Sequence, residues 1–482
     1  MVPASESSPR RAGSAPVTSL TSLRADLLPR PRCVGAAALG LSSLRLHRAP
    51  WRSGQAQGCG VVALLAQAVT VLRHHHLTVH SSRTGFASRL NSGVRPFLGS
   101  PMDRRKFLKS TGVSLLATSL PAPILAASLD ESLESALSRI ADQSIKEMVT
   151  PGIQISVWQN GIPATEAVRG LSNLETATTV TPSTIFRAGS ITKQFTAALI
   201  AKLQDEGRLS INDGLEEHLV FFKGKETPTL LELIHQTAGV HEENEDCFSQ
   251  SPTTQLELAK NIADQKPLFD FHPGAAWLYS NANYILLGAV VESVTKQSLP
   301  KTARELIFEP LGLKHTEFDD HSEVVKNRAS GYMGTGSSET PFVNADFIPV
   351  EQTGGAGAIR TNADDLCRWH HSLFYGTFLS AGARKALLEP AKLRDGRPIT
   401  KGRFDPNDNN MGETSYGYGL MLDRSTRNHG VIAMHNGFVS GFSAYLATHV
   451  PSKLTVACMC NTDPSQKLPF RLLRKAVFSS YL

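Results

Sequence analysis

Strand patterns at both ends of the region after residue 127 constrain the fold most strongly. Residues 153–158 and 164–168 are rich in apolar and β-branched side chains, and the Asn160-Gly161 pair between them is a preferred β-hairpin turn. A second pair of strand-like segments lies near the other end, at residues 441–449 and 454–460. We therefore expect one sheet to which both ends of this region contribute.

Helical patterns fill the interval between these strands. Apolar residues recur at helical spacing in residues 194–205, 230–236, 284–295 and 363–373, and again at the end in residues 470–481. Loops rich in Gly and Pro separate the segments. The order predicts an α+β fold in which a mostly helical part is inserted into a sheet domain.

Residues 1–101 differ from the rest of the chain in composition. They contain twelve Arg, only two acids, and no Lys, Ile or Tyr. Such a segment cannot bury enough apolar surface to offset the entropy of ordering, so we expect a disordered or non-native leader. Its apolar run at residues 61–72 is too short to cross a bilayer, and we expect no stable membrane span.

A twin-arginine pattern begins at Met102. The pair Arg104-Arg105 precedes a mildly apolar stretch at residues 112–126, which ends in small residues suited to cleavage. This order is typical of a Tat export signal. We expect a signal peptide over residues 102–127, export by the Tat machinery, a mature domain over residues 128–482, and a periplasmic or secreted location.

Export signals of this kind act at an amino terminus, so we expect translation to start at Met102. Residues 1–101 would then be absent from the native protein. Amino-terminal sequencing of the precursor decides the point, and recovery of residues 1–101 from the native host contradicts it.

Charge and cysteine content limit the partners, metals and disulfides expected for the region after residue 127. Acidic residues outnumber basic ones there, which disfavours a nucleic-acid partner. The cysteines show no metal-ligand spacing, and we expect no metal and no cofactor. Cys458 and Cys460 share one face of a predicted strand, which favours buried thiols over a strained disulfide. A bridge between Cys247 and Cys367 is left open.

The pattern Ser-x-x-Lys occurs three times, beginning at Ser190, Ser293 and Ser298. Residues three apart share a helix face, so the Lys amine can reach the Ser hydroxyl. Only Ser190 directly precedes an amphipathic helix, where unpaired amides and the helix dipole favour negative charge. We predict Ser190 as a nucleophile next to Lys193, with a simple helix N-cap as the alternative for Ser190.

A second string is the most specific in the chain. An aromatic loop that begins at Pro273-Gly274 presents Tyr279 and Asn281 just before an apolar helix. A phenol and an amide at that place can supply a proton carrier and a hydrogen-bonding arm above a nucleophile. Near Lys193, Tyr279 is expected to ionise more easily. The alternative is a loop that only anchors the following helix, which leaves Asn281 without a role.

A third string, His435-Asn436-Gly437-Phe438, lies in a strand pattern. A glycine within a strand allows close approach of a ligand to the backbone. The Phe438 amide can then act as a second oxyanion donor beside the amide of Ser190. A single strand histidine is more often structural, which is the alternative for His435.

Taken in order, these strings resemble the motifs of the serine β-lactamases and D-Ala-D-Ala peptidases, most closely the class C β-lactamase and DD-carboxypeptidase branch. Each motif has its counterpart here: Ser190 and Lys193 for Ser-x-x-Lys, Tyr279 and Asn281 for Tyr-x-Asn, and His435, Asn436 and Gly437 for Lys-Thr-Gly or His-x-Gly. Residues 233–239 and 354–364 look like supporting segments. The resemblance implies a β-lactamase/transpeptidase-like fold, with an antiparallel sheet flanked by helices.

The resemblance also implies acyl transfer. Lys193 and Tyr279 would take the Ser190 proton, the amides of Ser190 and Phe438 would hold the oxyanion, and water would release the acyl group. Tyr279 would protonate the leaving group. Asn281 would hydrogen-bond the acyl amide of the substrate.

The pair His435-Asn436 departs from the Lys-Thr of β-lactamases. Lysine is a fixed cation for a substrate carboxylate, whereas His is mostly neutral near pH 7 and Asn436 lacks the threonine hydroxyl. We therefore expect a hydrolase of D-amino-acid peptides, amides or esters, acting on a small molecule or a peptidoglycan peptide. A class C-type β-lactamase and a catalytically idle penicillin- or peptidoglycan-binding module are the alternatives.

Overall fold

A computed structural model describes residues 132–242, 254–399, 414–425, 430–463 and 468–481. The predicted leader, the predicted signal peptide and Cys247 lie outside the described residues. The helices are α1 (Leu133–Lys146), α2 (Thr192–Asp205), α3 (Leu215–His218), α4 (Leu230–Ile234), α5 (Gln255–Asp264), α6 (Asn281–Thr295), α7 (Leu299–Ala303), α8 (Glu309–Leu311), α9 (Gly354–Gly357), α10 (Ala363–Tyr375), α11 (Ala381–Ala386) and α12 (Phe470–Phe478). The strands are β1 (Gly152–Gln159), β2 (Ile162–Asn173), β3 (Thr178–Thr179), β4 (Phe186–Arg187), β5 (Glu317–Phe318), β6 (Tyr332–Gly334), β7 (Phe342–Asn344), β8 (Ile359–Thr361), β9 (Thr414–Tyr416), β10 (Met421–Asp423), β11 (Ile432–Val439), β12 (Phe442–His449) and β13 (Leu454–Cys460).

Within these ranges, eight strands form one antiparallel sheet in the order β3-β2-β1-β13-β12-β11-β10-β9. Strands β1 to β3 precede helix α2 in the chain, whereas β9 to β13 follow helix α11. The helical interval between them carries two further small sheets, β4-β8-β5 and β6-β7. The predicted α+β fold, with a sheet from both ends and a helical insertion, is confirmed.

The predicted hairpins, β1-β2 and β12-β13, lie side by side in the sheet. Asn160 and Gly161, at φ 54° and 84°, occupy the left-handed region that a two-residue hairpin turn between β1 and β2 requires. β1 then pairs with β13 along its length, from Ile153 opposite Cys460 to Gln159 opposite Leu454. The first strand along the chain is thereby hydrogen-bonded to the last.

The central strands are buried on both faces. Ile153, Ile155 and Val157 of β1 pack with α1 and α12 in one apolar cluster, which also contains Cys458 and Cys460. Alternate residues of the same strands face the helical part. The two cysteines are free thiols with their sulfur atoms 3.9 Å apart, so the expectation of buried thiols is confirmed.

Cys367 is a third buried, free thiol, on helix α10. Its Sγ donates to the Ser156 carbonyl of β1 at 3.4 Å.

Among the helices in the described ranges, none is long and apolar enough to cross a bilayer.

Helix α2 is the centre of the packing. The sequence predicted an amphipathic helix, but the first ten residues of α2, Thr192 to Ala201, are all buried. Helices α6, α9, α10 and α11 contact it, so few of its faces are left for water. Its polar side chains therefore bond internally: Gln194 Oε1 accepts from Trp369 Nε1 at 3.1 Å, and Thr196 Oγ1 donates to the Gly355 carbonyl at 2.8 Å.

Strand β11 touches the turn before α2 backbone to backbone. A Cβ added to Gly437 would lie 1.8 Å from the Ala188 carbonyl oxygen, and one added to Gly189 would lie 2.6 Å from the Phe438 nitrogen. Only glycine permits such an approach. These contacts fix the distance between the sheet and the segment that carries Ser190.

Replacement of Gly437 by alanine is expected to destabilise the fold by roughly 1–3 kcal/mol, because the added methyl group must push two backbones apart. Denaturant unfolding measures the change. Gly382→Ala is the matched control, since on helix α11 the nearest neighbour of its Cβ is Ser380 Oγ at 3.8 Å. Equal stability of the Gly437→Ala variant and the wild type contradicts the close packing.

Candidate active site

Ser190 lies on a short 3₁₀ turn (Gly189–Ile191) that leads into the fourteen-residue helix α2. Its side chain caps neither helix, so the N-cap alternative is wrong. Thr192 holds the turn: its hydroxyl donates to the Gly189 carbonyl at 2.7 Å and accepts from the Ile359 amide at 2.9 Å. The Ser190 hydroxyl is thereby free to contact Lys193.

Lys193 is fully buried, and its amine has three oxygen partners. They are Ser190 Oγ at 3.2 Å, Asn281 Oδ1 at 2.6 Å and the Ala356 carbonyl at 2.9 Å. Burial lowers the pKa of Lys193 to about 7, against the opposing effect of the Glu242 charge. The neutral amine keeps two N–H donors for Asn281 and Ala356 and directs its lone pair to the Ser190 hydroxyl.

Asn281 is held through both atoms of its side-chain amide. Its Oδ1 accepts from Lys193, while its Nδ2 donates to Glu242 Oε1 at 2.7 Å. The Asn281 backbone N–H donates to Glu242 Oε2 at 2.8 Å. One of the two N–H groups on the Asn281 amide nitrogen, which was expected to reach the acyl amide of a substrate, is therefore bonded within the protein. Sequence reasoning missed this role of Glu242, because no local spacing connects it to Asn281.

Tyr279 lies between Lys193 and His435. Its ring centre is 4.8 Å from Lys193 Nζ and 6.1 Å from the centre of the His435 ring. Burial, followed by the neighbouring Tyr416, raises the pKa of Tyr279 well above its usual value, and a hydrogen bond with Ser190 opposes the rise only in part. The expectation that Tyr279 ionises easily is therefore wrong. The phenol is protonated and can donate its proton.

His435 is buried on strand β11 and is neutral near pH 7. Burial, with a smaller effect of Lys193, lowers the pKa of His435 to about 4. Its Nδ1 donates to the Asn436 carbonyl at 2.5 Å, which leaves Nε2 to accept from the Tyr416 hydroxyl at 3.3 Å. The His435 side chain therefore offers no cation for a substrate carboxylate. The role of Tyr416 was not predicted, since its strand is far from the motif in sequence.

The open edge of β11 lies beside Ser190. β10 pairs with β11 only as far as Met434, and no other strand of the described residues pairs with this edge of β11 from there to Val439. The Gly189 contact brings the Phe438 amide against the turn that carries Ser190. Two backbone amides near one point are the arrangement that an oxyanion requires.

The two supporting segments, residues 233–239 and 354–364, contact the loop of the second motif and the amine of Lys193. Gln236 Oε1 accepts from the Ser280 amide at 3.0 Å and from Asn283 Nδ2 at 2.5 Å, which fixes the loop before α6. Helix α9 supplies the Ala356 carbonyl that accepts from the buried amine. Both segments therefore position the side chains around Ser190.

The two other Ser-x-x-Lys strings have structural roles. Ser293 donates to the His218 carbonyl at 2.8 Å. Ser298 caps helix α7 by accepting from the Lys301 amide at 3.4 Å. The sequence context had separated them from Ser190.

The assembled groups are a serine hydroxyl, an amine with a pKa of about 7 and a protonated phenol. This set is suited to nucleophilic acyl transfer. Among the residues that the structure describes, no cluster of three or more His, Cys, Asp or Glu could hold a metal ion.

Two solved structures of known proteins have a similar fold. A solved structure of the D-amino acid amidase from Ochrobactrum anthropi SV3 complexed with D-phenylalanine matches with a TM-score of 0.60 and 19% identity, over 72% of this chain and 98% of that one. The octameric penicillin-binding protein homologue from Pyrococcus abyssi matches with a TM-score of 0.60 and 24% identity, over 71% and 76%. At these identities the likeness shows the fold alone.

The sequence comparisons identify the family as well. Protein flp of Staphylococcus aureus (strain N315) is 30% identical over 240 residues, which is 48% of this chain and 47% of that protein. The chain thus spans about half the length of this curated relative. The Beta-lactamase family matches over residues 137–477, which contain all three motifs. The chain therefore belongs to the Beta-lactamase family of serine hydrolases.

Proposed function

We propose that this protein is an exported serine hydrolase that cleaves D-amino-acid peptides, amides or esters through an acyl intermediate on Ser190. The observation that carries the proposal is the buried amine of Lys193, 3.2 Å from Ser190 Oγ and with its pKa lowered to about 7. A lysine that is neutral at the working pH can remove the serine proton. Export by the Tat machinery rests on residues 102–127 alone.

Acylation follows from this geometry. The lone pair of Lys193 takes the Ser190 proton as Oγ attacks the substrate carbonyl. The amides of Ser190 and Phe438 stabilise the charge that develops on the carbonyl oxygen. Tyr279 gives its proton to the leaving group, and the proton held by Lys193 restores the phenol. Water then attacks the ester through the same groups and releases the acyl product.

The substrate class rests on fold likeness and on charge. The fold is similar to that of the D-amino acid amidase from Ochrobactrum anthropi SV3. The neutral state of His435 removes the cation that a β-lactam carboxylate would need. A small molecule or a peptidoglycan peptide is the proposed substrate.

A class C-type β-lactamase is the second candidate, and the family match favours it. His435 disfavours it, because its Nε2 is already bonded to Tyr416. The third candidate, an idle penicillin- or peptidoglycan-binding module, is disfavoured by the contact of Ser190 with both Lys193 and Tyr279.

Ser190→Ala is expected to lower kcat/KM by at least about 10³-fold on whichever substrate is hydrolysed, since the nucleophile is lost. The assay compares D-Ala-D-Ala peptides, nitrocefin and p-nitrophenyl esters. Ser293→Ala is the matched control: it should keep its activity and lose about 1 kcal/mol of stability with its hydrogen bond. Full activity of Ser190→Ala places the nucleophile elsewhere, and fast turnover of nitrocefin alone selects the β-lactamase candidate.

The kcat/KM for an uncharged ester is expected to rise with pH through about 7, because burial lowers the pKa of Lys193 to that value and only its neutral form accepts a proton. The rate then stays level in the alkaline range, because the raised pKa of Tyr279 keeps the phenol protonated. Lys193→Arg, a permanent cation, should lose activity at every pH. A rise centred near pH 4 would assign the base to His435, whose pKa is lowered to about 4.

A further inference from the structure

Tyr416 lies between the second and third motifs. It belongs to β9, at one end of the eight-stranded sheet, and its side chain exposes none of its surface. Its ring centre is 6.2 Å from that of Tyr279 and 6.0 Å from that of His435. The centres of the Tyr279 and His435 rings are 6.1 Å apart. The three rings therefore contact one another inside the site.

The Tyr416 hydroxyl fixes the state of the His435 ring. His435 Nδ1 is bonded to the Asn436 carbonyl at 2.5 Å, and a carbonyl can only accept, so Nδ1 carries the proton. Nε2 is then a lone pair, which accepts from the Tyr416 hydroxyl at 3.3 Å. Because both ring nitrogens are bonded, the His435 ring cannot turn over without losing both hydrogen bonds.

Tyr416 is itself held by its strand and by the loop of the second motif. Its carbonyl accepts from the Ala391 amide at 2.8 Å. Its ring packs in one apolar cluster with Trp277, and the two ring centres are 6.1 Å apart. Trp277 lies two residues before Tyr279 on the same loop. The position of Tyr416 relative to that loop is therefore set by packing.

We infer that Tyr416 is a positioning residue for the proton that Tyr279 gives to the leaving group. A fully buried side chain cannot touch a substrate, so Tyr416 acts through the rings that it contacts. Its hydroxyl holds His435 in one orientation, and the His435 ring packs against the Tyr279 ring, whose hydroxyl bonds Ser190. A proton donor must lie within hydrogen-bond reach of the atom that it protonates. This inference rests on the proposed function and adds a residue to it.

The expected effect depends on how strongly the leaving group needs the proton. Methoxide is a strong base and must be protonated as it departs, whereas p-nitrophenolate leaves as a stable anion. A displaced Tyr279 hydroxyl therefore slows the cleavage of a methyl ester more than that of a p-nitrophenyl ester. General damage to the site slows both to the same extent.

Two substrates with one acyl group test the inference on the full chain: the methyl ester and the p-nitrophenyl ester of N-acetyl-D-alanine. Tyr416→Phe keeps the ring and removes the bond to His435. It should lower kcat/KM for the methyl ester at least about tenfold more than for the p-nitrophenyl ester, which is part of the roughly 10²–10⁴-fold effect of a placed proton donor.

Tyr375→Phe is the matched control. It also removes one tyrosine hydroxyl from a hydrogen bond, in this case to the Val450 carbonyl at 2.7 Å, on helix α10. The ratio of the two kcat/KM values should equal that of the wild type.

A double-mutant cycle shows whether Tyr416 acts through His435. His435→Gln alone should also shift the ratio against the methyl ester. In that background Tyr416→Phe should change the ratio little further, because the partner of its hydroxyl is already lost.

Three results overturn the inference alone: Tyr416→Phe leaves the ratio unchanged, its effect adds fully to that of His435→Gln, or the wild type hydrolyses only the p-nitrophenyl ester. The last result would show that the leaving group receives no proton in this site. A wild type that hydrolyses neither ester and forms no acyl adduct on Ser190 overturns the proposed function, and this inference with it.

Discussion

The burial of Lys193 is the constraint on which the rest of the site depends. An ammonium removed from water is costly unless it is paired, and the three oxygen atoms that contact this amine belong to uncharged groups. The pKa of Lys193 falls to about 7 for that reason. Burial of this amine requires that helix α2 be enclosed on nearly all sides, and four helices pack against it. The charge of Glu242 limits the fall in pKa and sets the balance between the two forms of the amine.

Much of this arrangement could be predicted from sequence because it is local. The Asn160-Gly161 turn, the strands at both ends of the domain and the spacing of Ser190 to Lys193 each depend on a few neighbouring residues. The three Ser-x-x-Lys strings were separable because only Ser190 directly precedes a long helical pattern. The glycine in the third string indicated close approach of a ligand to the backbone, whereas in the structure Gly437 lies against the turn before α2.

The features that sequence could not give are those that depend on distant parts of the chain. Glu242 and Tyr416 carry no motif, and they reach Asn281 and His435 only after folding. The pKa direction of Tyr279 was wrong because a nearby lysine was assumed to be charged, whereas burial acts on both groups. The prediction that α2 is amphipathic was wrong, because its polar side chains are buried and form hydrogen bonds inside the protein.

Trapping of the acyl intermediate shows directly whether Ser190 is the nucleophile. The full chain is mixed with a slowly released acyl donor, such as a penicillin or an activated ester, quenched in acid, and analysed by intact mass and peptide mapping. We expect one added acyl group, located on Ser190, with the Lys193 amine unmodified. An acyl group on any other side chain, or substrate turnover without a covalent species at Ser190, would contradict it.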